Sequence, residues 1–164
     1  MLQAQREKNK GFGLLEVVIS VGILGLVVFS LSQVVSTAYV LADKSGDRVE
    51  AGYIIQEGIE ALHVLRDTSW SSKISTLTPG TTYYLTFATS TNTYALTSTA
   101  QPVINGLYTR KIVMSNVNRD AQDNIASSGT NDTGTKKFRV TVDWANRGNY
   151  SESVDMYLTD LYQN

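Results

Sequence analysis

The chain contains one long apolar run near its N-terminus, with no charged residue between Val17 and Ala42. An α-helix needs about 20 apolar residues to cross the hydrocarbon region of a bilayer, so this run is long enough to span a membrane. Its glycines do not argue against a helix, because membrane helices tolerate glycine. We therefore predict a hydrophilic leader over residues 1–11 and a transmembrane helix over residues 12–42.

Helical periodicity resumes beyond residue 42, where charged residues indicate that the chain has entered water. Apolar side chains recur there at the helical spacing and form a single stripe. The stripe consists of Ile55, Ile59, Leu62 and Leu65, flanked by Tyr53, Ile54 and Ala61. The pattern predicts an amphipathic continuation over residues 43–66. One helix is therefore expected over about residues 12–66, and its second half should pack on a sheet.

From residue 67 onwards the apolar period changes to two, which is typical of strands. A strand is also expected over residues 107–117, and Trp70 should pack under the sheet. Apolar residues alternate with polar ones at Tyr83, Leu85 and Phe87, and Tyr94 and Leu96 follow to give a hairpin. Phe138, Val140, Val142 and Trp144 alternate in the same way, and Val154, Met156 and Leu158 of a last strand are expected to face inward. We predict an α+β fold, in which one long N-terminal helix packs on four or five antiparallel strands of a globular head over residues 67–164.

The composition excludes several kinds of chemistry. The chain has no cysteine, which rules out disulfides, thiolate metal sites and cysteine nucleophiles. The single histidine, His63, has no second histidine with which to bind a metal, and no phosphate-binding or hydrolase motif occurs. We therefore predict that the protein is not an enzyme and needs no cofactor. A formal charge of −1 gives no indication of nucleic-acid binding.

A polar segment over residues 118–136 is expected to form a long loop. It contains Asp120, Asp123 and Asp132, whose oxygen atoms are the type of ligand that Ca²⁺ prefers. Their spacing does not match an EF-hand. A calcium site and a flexible, solvated loop are both compatible with this segment, and the solvated loop is the favoured interpretation.

Glu16 stands at the start of the apolar run, where a carboxylate needs an explanation because an unpaired charge is costly to bury in a membrane. A signal peptide cleaved near Ala42 is one interpretation, although the apolar run is longer than such peptides usually have. A plain membrane anchor with an interfacial glutamate is another. By the positive-inside rule, Arg6, Lys8 and Lys10 place the N-terminus in the cytoplasm and the head outside.

A third interpretation comes from the residues in front of the apolar run. The sequence Gly11-Phe12-Gly13-Leu14-Leu15-Glu16, behind a short basic leader, resembles the cleavage site of type IV prepilins and type II secretion pseudopilins. The resemblance implies a pilin-like fold, cleavage after Gly11 and methylation of the new terminal amine at Phe12. It also implies that Glu16 is an assembly charge, which pairs with the terminal amine of a neighbouring subunit.

The same resemblance implies a set of partners and a location. The partners are a prepilin peptidase and methyltransferase, other pilin or pseudopilin subunits, and an inner-membrane platform with its assembly ATPase. The protein would cross the inner membrane once and then enter a fibre outside the cytoplasm. Major pilins usually carry proline at the position that Gln33 occupies here, so the resemblance favours a minor subunit of either a pilus or a secretion pseudopilus.

Two other functions remain open at the level of the sequence. The head of a minor pilin can capture DNA, a surface or a receptor, and a basic strip would support such a role. The candidate residues for the strip are Arg110, Lys111, Lys136, Lys137 and Arg139. Ordinary solvated strand edges are the favoured interpretation of these residues. The protein can also be an anchored extracytoplasmic domain that is unrelated to fibres.

Overall fold

The computed structural model of the protein describes residues 13–162. It divides into two compact units, one ending at Lys44 and the other beginning at Ser45. The elements are α1 (Leu14–Thr68), α2 (Trp70–Lys73), β1 (Thr82–Ala88), β2 (Thr93–Thr97), β3 (Tyr108–Arg119), β4 (Ile125–Ala126), β5 (Thr130–Ala145) and β6 (Asn149–Thr159).

The N-terminal unit consists of the first part of α1, and its large apolar side chains are exposed. Four hydroxyl groups on this part of the helix, those of Ser20, Ser30, Ser32 and Thr37, donate to the backbone carbonyl four residues earlier, at distances of 2.7 to 3.0 Å. Such bonds satisfy the hydroxyl groups without water, which suits a helix in lipid. Among the described residues, α1 is the one helix that is long and apolar enough to cross a membrane.

The C-terminal unit contains an antiparallel sheet with the strand order β2-β1-β3-β5-β6, and the short β4 pairs with the far end of β3. The second half of α1 packs on one face of this sheet. The predicted α+β fold is therefore confirmed, including the hairpin of β1 and β2 and the strand that contains Phe138 to Trp144. The 55 residues of α1 also confirm the single long helix.

The core lies between α1 and the helix-facing side of the sheet. It contains Ala51, Ile54, Ile55, Leu62, Leu65, Trp70, Ile74, Tyr108, Ile112, Met114, Phe138, Val140, Val142, Trp144 and Leu158. Trp70 is buried as predicted. Tyr53 is not part of the buried stripe, because it is 72% exposed. At 3.6 residues per turn, Tyr53 lies on the opposite side of the helix from Ala51 and Gly58.

The interpretation of residues 118–136 as one long loop is wrong. Strand β3 continues to Arg119 and β5 begins at Thr130, so both ends of this segment are strand, and residues 117–119 pair with residues 130–132. The pairing register shifts after Asn116, which lies opposite Lys136, so that Val117 lies opposite Asp132. The sequence does not reveal this part of β5, because residues 130–137 include no apolar side chain whose alternation would indicate a strand.

The last strand, β6, was expected to turn three apolar residues inward. Leu158 is fully buried and Met156 is partly buried against the core, but Val154 is 42% exposed. Strand β6 forms the edge of the sheet, where only β5 flanks it. An edge strand has a neighbour on one side only, and its side chains are therefore less covered than those of a central strand.

Candidate functional site

Glu16 lies in the first turn of α1, where a negative charge interacts favourably with the helix dipole. Its backbone is satisfied, since its N–H donates to the carbonyl of Gly13 at 2.9 Å. No ion pair to its exposed carboxylate occurs within residues 13–162. The next charged residue along the chain is Asp43. Glu16 is thus the single charge on an otherwise apolar stretch of exposed helix.

The other residues of the predicted processing motif, Gly11 and Phe12, lie outside the described residues, and their roles remain predictions. At Gln33 the helix continues without interruption. A proline there would remove one backbone hydrogen bond and clash with the preceding turn. Gln33 instead preserves the regular helix, so this position offers no hinge in α1.

The calcium candidates have partners within the chain. The Arg119 Nε donates to Asp132 Oδ2 at 2.7 Å, and Nη1 of the same guanidinium donates to the Asp123 carbonyl at 2.8 Å. Asp120 Oδ1 accepts the backbone N–H groups of Gln122 and Asn124, both at 2.9 Å. No three histidine or acidic side chains within residues 13–162 converge on a possible metal position. The guanidinium of Arg119 supplies the positive charge where the end of β3 meets the start of β5.

The pKa values of Asp132 and Asp120 follow from those contacts. The hydrogen bond from Arg119 lowers the pKa of Asp132, and backbone donation, chiefly from Asn124, lowers the pKa of Asp120. Both carboxylates are therefore ionised at neutral pH and already solvated by the protein's own donors. These hydrogen bonds stabilise the segment that connects β3 to β5.

The proposed basic strip is wrong, because its members lie on opposite faces of the sheet. Arg110 and Lys136 lie on the helix-facing side of the sheet and are each 8% exposed. Lys111, Lys137 and Arg139 lie on the other face, since successive side chains of a strand alternate between faces. These five residues therefore do not form one continuous strip.

The basic residues of the outer face are paired with carboxylates. Arg139 binds Asp155 through two hydrogen bonds of 2.6 and 2.9 Å, and Lys137 contacts the same carboxylate at 2.8 Å. The pair with Arg139 and then the contact with Lys137 hold the pKa of Asp155 far below its usual range. Lys111 pairs with Asp143 at 2.8 Å. The pair of Lys111 with Asp143 is neutral, whereas Arg139 and Lys137 share one carboxylate and leave a single net positive charge.

A buried contact that the sequence did not reveal joins α1 to β3. Arg110 Nη1 donates to the Ile54 carbonyl at 3.0 Å and to Glu57 Oε2 at 2.9 Å. The arginine passes over Gly58, where a Cβ would lie 3.0 Å from Arg110 Cδ and 3.1 Å from Val140 Cγ1. The available signal was a glycine in the middle of the apolar stripe, which a helix avoids unless a neighbour approaches closely.

A second polar contact joins α1 to β3 at Glu50, near the start of the half of the helix that packs on the sheet. Tyr108 is buried, and its hydroxyl lies 3.2 Å from Glu50 Oε2, while Asn105 Nδ2 donates to Glu50 Oε1 at 2.6 Å. Burial and the hydrogen bond to Glu50 raise the pKa of Tyr108 to about 12. The tyrosine therefore stays protonated and donates a hydrogen bond at physiological pH.

Comparison with known proteins gives no match to a protein-family model, to a curated protein or to a solved structure. The architecture itself defines the class. A long N-terminal helix has an exposed apolar first half, and its second half packs on an antiparallel sheet. This is a pilin-like fold with a helix that can anchor the protein in a membrane.

Proposed function

We propose that the protein is a structural subunit of an extracytoplasmic fibre, a minor pilin of a type IV pilus or a minor pseudopilin of a type II secretion system. In this proposal a prepilin peptidase cleaves after Gly11, and the new amine of Phe12 is methylated. Subunits then leave the inner membrane and stack through α1, driven by a separate platform protein and ATPase. The protein is a substrate of the processing enzymes and has no catalytic role of its own.

One observation supports this proposal above the others: Glu16 is the single charge on the exposed apolar part of α1. In a permanent membrane anchor only the helix dipole favours a carboxylate there, and lipid solvates the charge poorly. Between stacked helices, the same carboxylate can bind the terminal amine of a neighbouring subunit. Because an unpaired buried charge is strongly unfavourable, such a pair selects one register of stacking.

The surface of α1 supports close packing between subunits. The small residues Ser20, Gly22, Gly25 and Ser30 leave space along the helix, and no side chain of the described protein fills the space beside either glycine. Small residues allow membrane helices to approach closely. The head, by contrast, closes its own core, and its polar outer face suits the water-exposed side of a fibre.

The assembly role of Glu16 is tested in the native host with two substitutions of the same residue. Glu16→Gln keeps the shape and removes the charge, while Glu16→Asp keeps the charge on a shorter side chain. We expect both variants to insert and to be processed, but only the aspartate variant should enter sheared fibres in substantial amounts. Incorporation of Glu16→Gln at the wild-type level would refute the pairing argument.

The processing step is tested separately with two glycines that flank Phe12. Gly11→Phe should leave the leader attached, because the peptidase requires a small residue before the bond that it cuts. Gly13→Ala is the matched control, since a Cβ at Gly13 meets no atom within 4 Å. A mature-sized product from the Gly11 variant would refute the cleavage assignment, whereas a wild-type chain that keeps its leader would favour a plain anchored domain.

A further inference from the structure

The hairpin of β1 and β2 branches away from the main sheet. Strand β1 pairs with β3 only through Thr82 and Tyr83, whereas the five residues from Tyr84 to Ala88 pair only with β2. Within residues 13–162, no strand pairs with the outer side of β2. An isolated pair of strands is only marginally stable in water, and three or more strands are needed for independent stability.

The outer edge of β2 lacks the usual protection against pairing. Natural edge strands carry lysine, proline, inward-pointing charges or a bulge. Strand β2 has none of these, and no charged residue occurs anywhere between Ile74 and Thr109. The opposite edge of the sheet, β6, carries Glu152 and Asp155. The two edges therefore differ, and only β2 is open to another strand.

The sequence of β2 is symmetric about Ala95. It reads Thr93-Tyr94-Ala95-Leu96-Thr97, with a threonine at each end, an apolar residue on each side of the centre and a small residue between them. Tyr94 and Leu96 face the core side, where both are partly buried. An antiparallel copy of the same strand, centred on Ala95, therefore meets a matching pattern.

We propose that β2 is a self-association surface whose partner is β2 of a second copy of this chain. In this arrangement Ala95 faces Ala95 of the second copy, Tyr94 faces Leu96, and Thr93 faces Thr97. Aromatic–aliphatic and threonine–threonine pairs are favourable across antiparallel strands. The contact is a two-fold interface, because the same residues contribute from each side. It joins two hairpins into one four-stranded sheet, β1-β2-β2-β1.

Charge and exposure agree with a neutral partner. Phe87 packs against Tyr94 with ring centroids 4.9 Å apart and the rings tilted by 52°, yet Phe87 is 47% exposed. A second copy brings an identical uncharged hairpin, so no carboxylate or ammonium loses water when the edges meet. An acidic or basic strand would place an unpaired charge against this surface, which is unfavourable.

The absence of cysteine permits a direct test by disulfide cross-linking of the full-length chain in membranes. Ala95→Cys should form a covalent dimer on oxidation, because directly opposed residues have Cα atoms about 4.5–5.5 Å apart, within disulfide range. Ser153→Cys, which is exposed on the edge strand β6, is the matched control and should remain monomeric. The experiment uses a host without fibre machinery, so its outcome does not depend on processing or assembly.

The register of pairing is tested by two further cysteine variants, used alone and mixed, and by a second substitution at Ala95. Thr93→Cys alone and Thr97→Cys alone should stay monomeric, since each residue lies about 13 Å from its own copy along the strand. A mixture of the two should cross-link, because Thr93 faces Thr97. Adding Ala95→Lys to both chains should abolish the cross-link by placing like charges opposite each other, whereas adding Ala95→Thr should preserve it.

The proposal is overturned if Ala95→Cys stays monomeric. It is also overturned if Thr93→Cys alone or Ser153→Cys cross-links as efficiently, which would indicate random collisions. Cross-linking between Ala95→Cys and Ser153→Cys chains would instead assign a head-to-tail contact of β2 with β6, and would refute the two-fold arrangement. Thr93 and Thr97 lie at the ends of β2 and are accessible to solvent, so both variants should fold. Circular dichroism of each variant checks that it is folded.

Discussion

Gly58→Ala should destabilise the head although it replaces glycine with the best helix former. In an open helix this change stabilises by about 1 kcal/mol. Here the added methyl would lie 3.0 Å from Arg110 Cδ and 3.1 Å from Val140 Cγ1. Val140 is fully buried, and the Arg110 guanidinium is held by Ile54 and Glu57, so neither can withdraw freely.

The size of the effect follows from two opposed terms. Overpacking of a tight interior costs about 1–3 kcal/mol, and the gain in helix propensity offsets about 1 kcal/mol of that. We therefore expect a net loss of about 1 kcal/mol in the free energy of unfolding. In a domain of this size such a loss lowers Tm by about 4 °C.

Gly52→Ala is the matched control, because it is the same substitution on the same helix. A Cβ at Gly52 meets no atom within 4 Å, so only the propensity gain applies. The assay is thermal unfolding of the full chain in detergent, followed by tryptophan fluorescence. Both tryptophans, Trp70 and Trp144, are buried in the head, so the signal reports the unit of interest. A Gly58→Ala variant at least as stable as Gly52→Ala would refute the reasoning.

Three further predictions concern polar contacts of the head. Tyr108→Phe should lower stability by about 1 kcal/mol in chemical denaturation, because Glu50 loses a hydrogen bond. Arg119→Gln should lower Tm by depriving Asp132 of its cation, and calcium should leave the wild-type Tm unchanged because the Asp132 carboxylate is already paired with Arg119. Asp155 has a lowered pKa when folded, so its contribution is complete above about pH 4 and is lost as the pH falls further. Asp155→Asn should reduce the fall of Tm with decreasing pH below about pH 4. An unchanged fall of Tm in this variant would contradict the assignment.

The sequence was most informative where a local pattern repeats. The 3.6-residue period predicted α1, and the two-residue period predicted the hairpin and the central part of β5, because burial of one face imposes those spacings. The first part of β5 escaped prediction. Its residues, such as Thr130 and Asp132, are polar on both faces, and their pairing with β3 is a property of the backbone.

The contacts that join distant parts of the chain could not be predicted from spacing. The sequence places Arg110 next to Lys111 and suggests one basic surface, but strand alternation sends Arg110 into the interior. Gly58 is intelligible only once Arg110 lies over it. The predicted site, in contrast, rests on a contiguous motif ending at Glu16, and contiguous motifs do not depend on the fold.

The N-terminal residue of the mature protein tests the central claim most directly. Mass spectrometry of the full chain, extracted from the membranes of its native host, gives both the first residue and any modification of its amine. A mature chain that begins at Phe12 with a methylated amine is the predicted result. A chain that keeps residues 1–11, or that begins after Ala42, would contradict the proposal that this protein is a processed fibre subunit.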